Sequence, residues 1–352
     1  MITIKDVARL ADVGVGTVSR VLSGNGSVSN DTALRVRAAV AQLGYRPSSI
    51  ARALALRRSG AIGVYIPMFD GSYYSGLMAS IDAQLRANGR HMIAANGCGD
   101  AEPRQQELDG IEFLLRCDCD GLLVSSHSLR STDFQALIKR FPNTVIINRS
   151  LPRQAAHCFT ADHVQGGRLA ALALVQAGHR DIATVSGPND SPDNLDRMAG
   201  FNAELARHGI HVAPAHAIEA TFSHDSGDAA AQRLIGAATG QRPLAFTAVF
   251  CANDVMAMAA ISRLTQAGFS VPADVSVIGY DDADFAPYMA PPLTTVHIPS
   301  ASIASNATRH VLNLCYGMDL PVERESSLSI SWRQSVGKGP HRVLLEPAAP
   351  TL

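Results

Sequence analysis

Nine cationic side chains, Lys5, Arg9, Arg20, Arg35, Arg37, Arg46, Arg52, Arg57 and Arg58, fall within the first 60 residues against only Asp6, Asp12 and Asp31. That segment carries a formal charge of +6 and the other 292 residues carry −7, although the whole chain is at −1. Guanidinium groups gathered on one short segment can neutralise a phosphate backbone; a solvated charged face is the plainer reading of the same count. A second set of polar and aromatic residues follows short apolar runs. It comprises Met68, Phe69 and Asp70 with Tyr73 and Tyr74, then Asn148-Arg149, Arg197, Asn253-Asp254 and Asp281-Asp282, with Phe222 after another expected run. Carboxylate, amide and guanidinium groups beside aromatic rings suit the binding of a small polar molecule. Turn and helix-cap roles are the alternative at each position, above all for Asp254 and Asp282.

None of this is catalytic equipment. The chain has no G-x-x-x-x-G-K-[ST], G-x-S-x-G or H-E-x-x-H, and Gly14-x-Gly16 and Gly24-x-Gly26 lack the third glycine and preceding strand of a dinucleotide site. Twelve histidines are scattered, and six cysteines (Cys98, Cys117, Cys119, Cys158, Cys251, Cys315) are spread too thinly for a disulfide scaffold. Cys117 and Cys119 find no further ligands for a tetrahedral zinc, so neither metal nor cofactor is expected. An enzyme is the less favoured reading.

The elements that must position these residues begin with a length of 352, which predicts two or three domains. A composition 47% hydrophobic and 17% charged excludes collagenous and disordered classes. Lys5, Asp6 and Arg9 interrupt the opening MITIKDVARL, and no uncharged apolar run reaches the ~18–20 residues of a membrane helix. A soluble cytoplasmic protein without membrane attachment is expected. Thr3 stands as an N-cap before a helix over 4–11, Asp12-Val13-Gly14 breaks it, and a second helix over 15–22 turns Val18, Val21 and Leu22 inward. A third, from Asn30 or Asp31 to Leu43, closes a helix-turn-helix head. Gly14 and Gly16 predict a second helix that frays, since Gly costs ~0.8–1 kcal/mol in a helix interior.

From Ala61 onward, apolar strands (62–66, 91–94, 121–124, 144–148, 182–185, 248–250, 275–279) alternate with helices (76–88, 105–116, around Leu137, 166–178). That alternation predicts parallel sheets covered on both faces, with ligands at the carboxyl ends of the strands. The fold class is therefore α/β: a three-helix head and a short linker, then two doubly wound parallel subdomains.

Ile4-Lys5-Asp6-Val7-Ala8, Gly16-Thr17-Val18-Ser19-Arg20-Val21-Leu22, Leu43-Gly44-Tyr45-Arg46-Pro47 and Ala51-Arg52-Ala53-Leu54-Ala55 resemble the LacI/GalR family of bacterial transcription regulators in order and spacing. Later motifs extend the likeness to about residue 335. The resemblance implies a DNA-binding domain over 1–46 and a hinge over 47–60 with a short helix. It implies a core over 61–335, with an N-subdomain of about 61–161 and 293–322 and a C-subdomain of about 162–292 and 323–335, and a flexible tail over 336–352. It places Val15, Gly16 and Arg20 at base edges, where a guanidinium can grip guanine bidentately. Thr17, Ser19 and Thr32 are directed at phosphates, with Thr3, Lys5, Tyr45 and Ala51 also facing DNA. Leu54 is the hinge wedge inserted at a base step; an ordinary linker is the alternative.

The two lobes resemble the sugar-binding core shared with periplasmic binding proteins. Arg149, Arg197, Asn253 and Asp281 match effector-contacting positions, and Phe222 and Tyr73 match aromatic walls, with Asp70 and Tyr74 beside them. Such a set fits a polyol, hydroxyls on the polar groups and C–H face on a ring. Purine-responsive relatives carry arginine and threonine where this chain has Ser191 and Asp193, so the likeness is to the GalR-like, sugar-responsive branch. The expected protein is a homodimeric repressor of carbohydrate-utilisation genes on a pseudo-palindromic operator in double-stranded DNA, released by a mono- or disaccharide. The chain after Trp332 has no heptads for a tetramerising tail. A non-sugar effector, a corepressor and, further off, a cytoplasmic sugar-binding protein without a DNA role are the rival readings.

Overall fold

Three helices build the head in the computed structural model, which describes residues 2–23, 27–45, 58–69, 71–97, 102–237 and 244–340. They are α1 (Ile4–Leu10), α2 (Val15–Ser23) and α3 (Asn30–Leu43). At the start of α1 the Thr3 amide and hydroxyl both donate to Asp6 Oδ2, at 2.9 and 2.7 Å. Ser29 Oγ accepts the Thr32 amide at the head of α3. Gly44, at φ +60°, ends that helix in the left-handed conformation that favours glycine. Val7, Ala8, Ala11, Val18, Val36 and Ala39 form the core, and Arg35 Nη1 ties α3 to the Ala11 carbonyl at 3.2 Å. Arg35 is thus partly spent on holding the head together. Gly14 precedes α2, its carbonyl accepting the Thr17 and Val18 amides, so the helix-interior cost expected there does not arise. Gly16 lies in the first turn.

The head (residues 1–61) and the body (62–352) are separate compact units. In the body, the first lobe carries β1 (Ala61–Ile66), α4 (Ser72–Ala87), β2 (His91–Asn96), α5 (Pro103–Arg116), β3 (Gly121–Val124), α6 (Ser131–Arg140), β4 (Thr144–Ile147) and β5 (Cys158–Phe159). Its sheet order is β2-β1-β3-β4-β5, with β1, β3, β4 and β5 parallel. Every residue of β1, β3 and β4 is buried, as strands covered on both faces must be. The second lobe carries α7 (His163–Gln176), β6 (Ile182–Ser186), α8 (Pro192–Arg207), β7 (Ala217–Glu219), α9 (His224–Ala237), β8 (Ala248–Cys251), α10 (Asp254–Gln266), β9 (Ser276–Asp281), β10 (Thr294–His297) and β11 (Ser329–Ser331). Its order is β11-β10-β9-β8-β6-β7, parallel except for the β10–β11 pair. Helix α11 (Ser300–Tyr316) returns to pack on α4, β3, β4 and β5.

The chain therefore passes between the lobes three times: between Phe159 and His163, between His297 and Ser300, and between Arg324 and Ser329. Two expected boundaries move. Strand β10 belongs to the second sheet, so the return falls after His297 and not at 292/293. Glu323 and Arg324 still belong to the first lobe, the former donating its amide to Asn306 Oδ1 and the latter its guanidinium to the Ala155, Ala156 and Cys158 carbonyls. The tail is not free from residue 336. Gly337 N donates to Ser276 Oγ, Gly339 N donates to the Ala177 carbonyl, and the His179 ring meets Gly337 O; residues 341–352 lie outside the described ones. Among the described residues no helix is long and apolar enough to cross a membrane.

Candidate functional site

A cavity lies where the carboxyl ends of the two sheets face each other, the place where open parallel sheets take their ligands. The first lobe supplies Met68, Gly71, Tyr73, Tyr74, His127 and Asn148, and the second supplies His163, Asp193, Arg197, Phe222, Asn253, Val255 and Asp281. Three of these, Asn148 (φ +61°), Phe222 (φ +63°) and Asp281 (φ +115°), hold positive φ without being glycine. Such backbone costs ~1–3 kcal/mol and collects where side-chain aim matters more than stability.

Arg197 is the polar centre. Its residue is 3% exposed; the guanidinium stacks 3.7 Å from the Tyr280 ring centroid and 5.7 Å from that of Phe222. Nη1 donates to the Ala252 carbonyl, Nη2 stands 3.5 Å from Asp193 Oδ2, and Nε is buried with no hydrogen-bond partner among the described residues. Burial alone would raise the Asp193 carboxyl, yet Arg197, His163 and His127 hold it down to about 2. Asp281 goes the other way: burial lifts it well above the ordinary carboxylate range, against the pull of Arg197. Two carboxyls of opposite tendency and one guanidinium thus face the cavity. That mixture offers both donors and acceptors, suited to a hydroxylated ligand.

The aromatic side is equally defined. The Tyr73 and Tyr74 rings meet edge to face at 5.2 Å, and Tyr74 Oη lies 2.7 Å from His127 Nε2. His127 faces Phe222 of the other lobe at 6.4 Å. Buried Glu107 fixes the loop beneath, accepting from Ser126 Oγ and from the His127 and Ser128 amides. Asn253 caps α10 through Met256 N and donates Nδ2 to the Phe222 carbonyl at 3.0 Å, which also holds the ring's strained backbone.

On the head, Val15, Gly16, Ser19 and Arg20 share the exposed side of α2, opposite buried Val18. A short helix presenting one exposed face with a guanidinium can enter a major groove.

Residues 3–48 match the model of the lacI family of bacterial regulatory proteins, and residues 171–336 match a periplasmic binding protein-like domain. The HTH-type transcriptional regulator GalS of Salmonella typhimurium is 35% identical over 345 residues, 95% of this chain and 98% of GalS. The chain belongs to the lacI family. A lacI-family regulator from Burkholderia phymatum has 45% identity and a TM-score of 0.76 over 79% of this chain and 99% of its own. The lac repressor dimer bound to operator and the anti-inducer ONPF superposes with a TM-score of 0.84 at 28% identity, over 96% of this chain and 99% of its own. This lacI-family chain is a DNA-binding transcriptional regulator and not an enzyme.

Of the effector residues expected from the sequence, Tyr73, Tyr74, Arg197, Phe222, Asn253 and Asp281 line the cavity. Arg149 does not: its guanidinium turns toward Phe134, 5.9 Å from the ring, and Asn148 holds the cavity wall instead. Burial lowers Arg149 below the ordinary guanidinium value, against Asp193 and Glu107. Asp70 lies outside the described residues. Asp282 faces away from the cavity, accepting from Arg333, Ser331 and His297, and Asp254 is buried behind it, accepting from Thr295 Oγ1 and Ala283 N. His127 and His163 were not foreseen. His127 follows β3 and the strand-end rule reaches it, whereas His163 follows β5, a two-residue strand with no apolar run to announce it.

Of the DNA-facing set, Thr3, Lys5, Val15, Gly16, Ser19 and Arg20 are exposed and Thr17 is half-buried. The Thr32 hydroxyl is engaged by Ser29 Oγ at 2.8 Å, and Tyr45 packs against the head core. Ala51 and Leu54 lie outside the described residues.

Proposed function

We propose that this regulator represses carbohydrate-utilisation genes, binding a pseudo-palindromic operator as a homodimer and leaving it when a small sugar enters the cleft between its lobes. The observation that carries the reading is the cleft lining itself: Arg197, Asp193 and Asp281 set among Phe222, Tyr73 and Tyr74. Hydroxyls pair with the polar groups while a ring covers the C–H face of the sugar. Residues 1–46 read the operator through Val15, Gly16 and Arg20, with Lys5, Thr17 and Ser19 on phosphates. Residues 47–60 join head to body, with Leu54 as a minor-groove wedge. Sugar and operator favour different states of one dimer, which is all that reciprocal coupling requires. Acting on chromosomal DNA, the protein works in the cytoplasm and needs no cofactor.

Selection of bound sequences from a random duplex pool tests this reading, repeated with Leu54→Ala and with a panel of sugars in the buffer. A palindrome that weakens with Leu54→Ala and is lost with one sugar is the expected result. A palindrome enriched only when a sugar is present would make the sugar a corepressor. No enriched sequence under any condition would overturn the operator reading.

A further inference from the structure

His163 is 6% exposed and both ring nitrogens are engaged, Nδ1 with Tyr280 Oη and Nε2 with Asn148 Oδ1, each at 2.9 Å. The three partners come from different parts of the body. Asn148 follows β4 in the first lobe, His163 opens α7, and Tyr280 lies in β9 of the second lobe. One imidazole therefore bridges the lobes at the wall of the cavity.

The direction of the protons follows from the neighbours. Asn148 Oδ1 can only accept, so the ring nitrogen that faces it, Nε2, carries a proton. Burial and the nearby Arg197 push His163 down to about 4, so the ring is neutral at pH 7. A neutral ring protonated at Nε2 is bare at Nδ1, which accepts the proton of the Tyr280 hydroxyl. With its oxygen taken, Asn148 has its amide NH2 left to present, and Asn148 lines the cavity on a backbone held at φ +61°.

We propose that His163 is a positioning residue that fixes the polarity of Asn148, so that this wall of the cleft offers hydrogen-bond donors and selects a ligand with an acceptor oxygen at that place. The inference rests on the cleft being the effector site. Without the imidazole, the Asn148 amide could turn and offer its oxygen instead, and the wall would lose its discrimination.

The test uses the full chain labelled with [15N]histidine, the His163 signals being assigned by their loss in His163→Gln. A long-range 1H–15N spectrum at pH 7 is expected to show protonated Nε2 and bare Nδ1. A proton on Nδ1, or a charged ring, overturns the proposal. In a second arm D-galactose, D-glucose, D-ribose and cellobiose are titrated calorimetrically into wild type, Asn148→Asp, His163→Gln and His163→Glu. For any sugar that binds the wild type, Asn148→Asp, which replaces donors by acceptors in the same shape, is expected to bind at least about tenfold more weakly. His163→Gln can still donate to Asn148 and stays within about threefold, while acceptor-only His163→Glu does not. Equal affinity in Asn148→Asp and wild type overturns the proposal. If none of the four sugars binds the wild type, the sugar reading fails for them, and the ring spectrum still decides the polarity of His163.

Discussion

Gly167 of α7 packs so closely on the Arg197 carbonyl of α8 that a β-carbon has no room between them, and Gly200 of α8 stands in the same relation to the Val164 carbonyl. The two helices touch backbone to backbone, which fixes where Arg197 starts before its guanidinium meets Tyr280. Gly167→Ala is expected to lower the unfolding free energy by about 1–3 kcal/mol or more, as overpacking does, and to weaken ligand binding by displacing Arg197. Urea denaturation reads the first effect. Gly76→Ala is the control: it sits within α4 with open space around it, and its expected change is a gain of about 0.5–1 kcal/mol.

Arg197→Met and Arg149→Met separate the two arginines that the sequence placed in one role. Losing charge-assisted hydrogen bonds at the centre of the cleft should cost the Arg197 variant about 1.5–3 kcal/mol of effector affinity. Arg149→Met should stay within about threefold of wild type, a loss well below ~1 kcal/mol, because its guanidinium turns toward Phe134. Calorimetric titration with the sugar found to release the operator measures both.

Arg20 and Lys5 should fail differently on DNA. Arg20→Ala is expected to lose about 1–3 kcal/mol on the selected operator and to relax preference at one base pair. Lys5→Ala should weaken all sequences alike and reduce the salt dependence by about one phosphate. Binding isotherms on operator and scrambled duplexes at several salt concentrations distinguish the two.

Two buried carboxyls give opposite pH dependences in separate windows. Burial lifts Asp254 to about 7 against its bonds from Thr295 and Ala283, from 3.8 for a free carboxyl. Between those values the folded chain holds a proton that the unfolded chain has released, so stability falls as pH rises from about 4 to 7 and is flat above. The expected loss is on the order of 4 kcal/mol. Asp193, held near 2 by Arg197, contributes stability above 3.8 that disappears as pH falls from about 4 to 2, on the order of 2 kcal/mol. Unfolding free energies of wild type, Asp254→Asn and Asp193→Asn across about pH 2–8 should show each slope vanish in its own variant.

The helices of the head were legible because Thr3 caps the first, Asp12-Val13-Gly14 breaks it, and Val18, Val21 and Leu22 fall on one face of the second. The long apolar strands announced themselves in the same way. What escaped was short or polar: β5 has two residues and β11 is Ser329–Ser331, held in place by pairing with β10 and not by its own hydrophobicity. Missing β5 hid His163, and missing β10, another short strand with threonines, put the return to the first lobe too early. At the end of β4, the sequence cannot tell whether Asn148 or Arg149 turns inward; the left-handed backbone of Asn148 decides it.

The triple passage between the lobes has a mechanical meaning. A single tether would let the halves twist, slide and part, whereas three ligaments, one of them anchored at its root by Arg324 on the first-lobe carbonyls that lead into another, resist twist and slip together. What remains is a rotation about the line through the three ligaments. Ligands of different outline would then all be converted into the same single motion, and the head would sense how often the cleft is filled rather than the shape of what fills it.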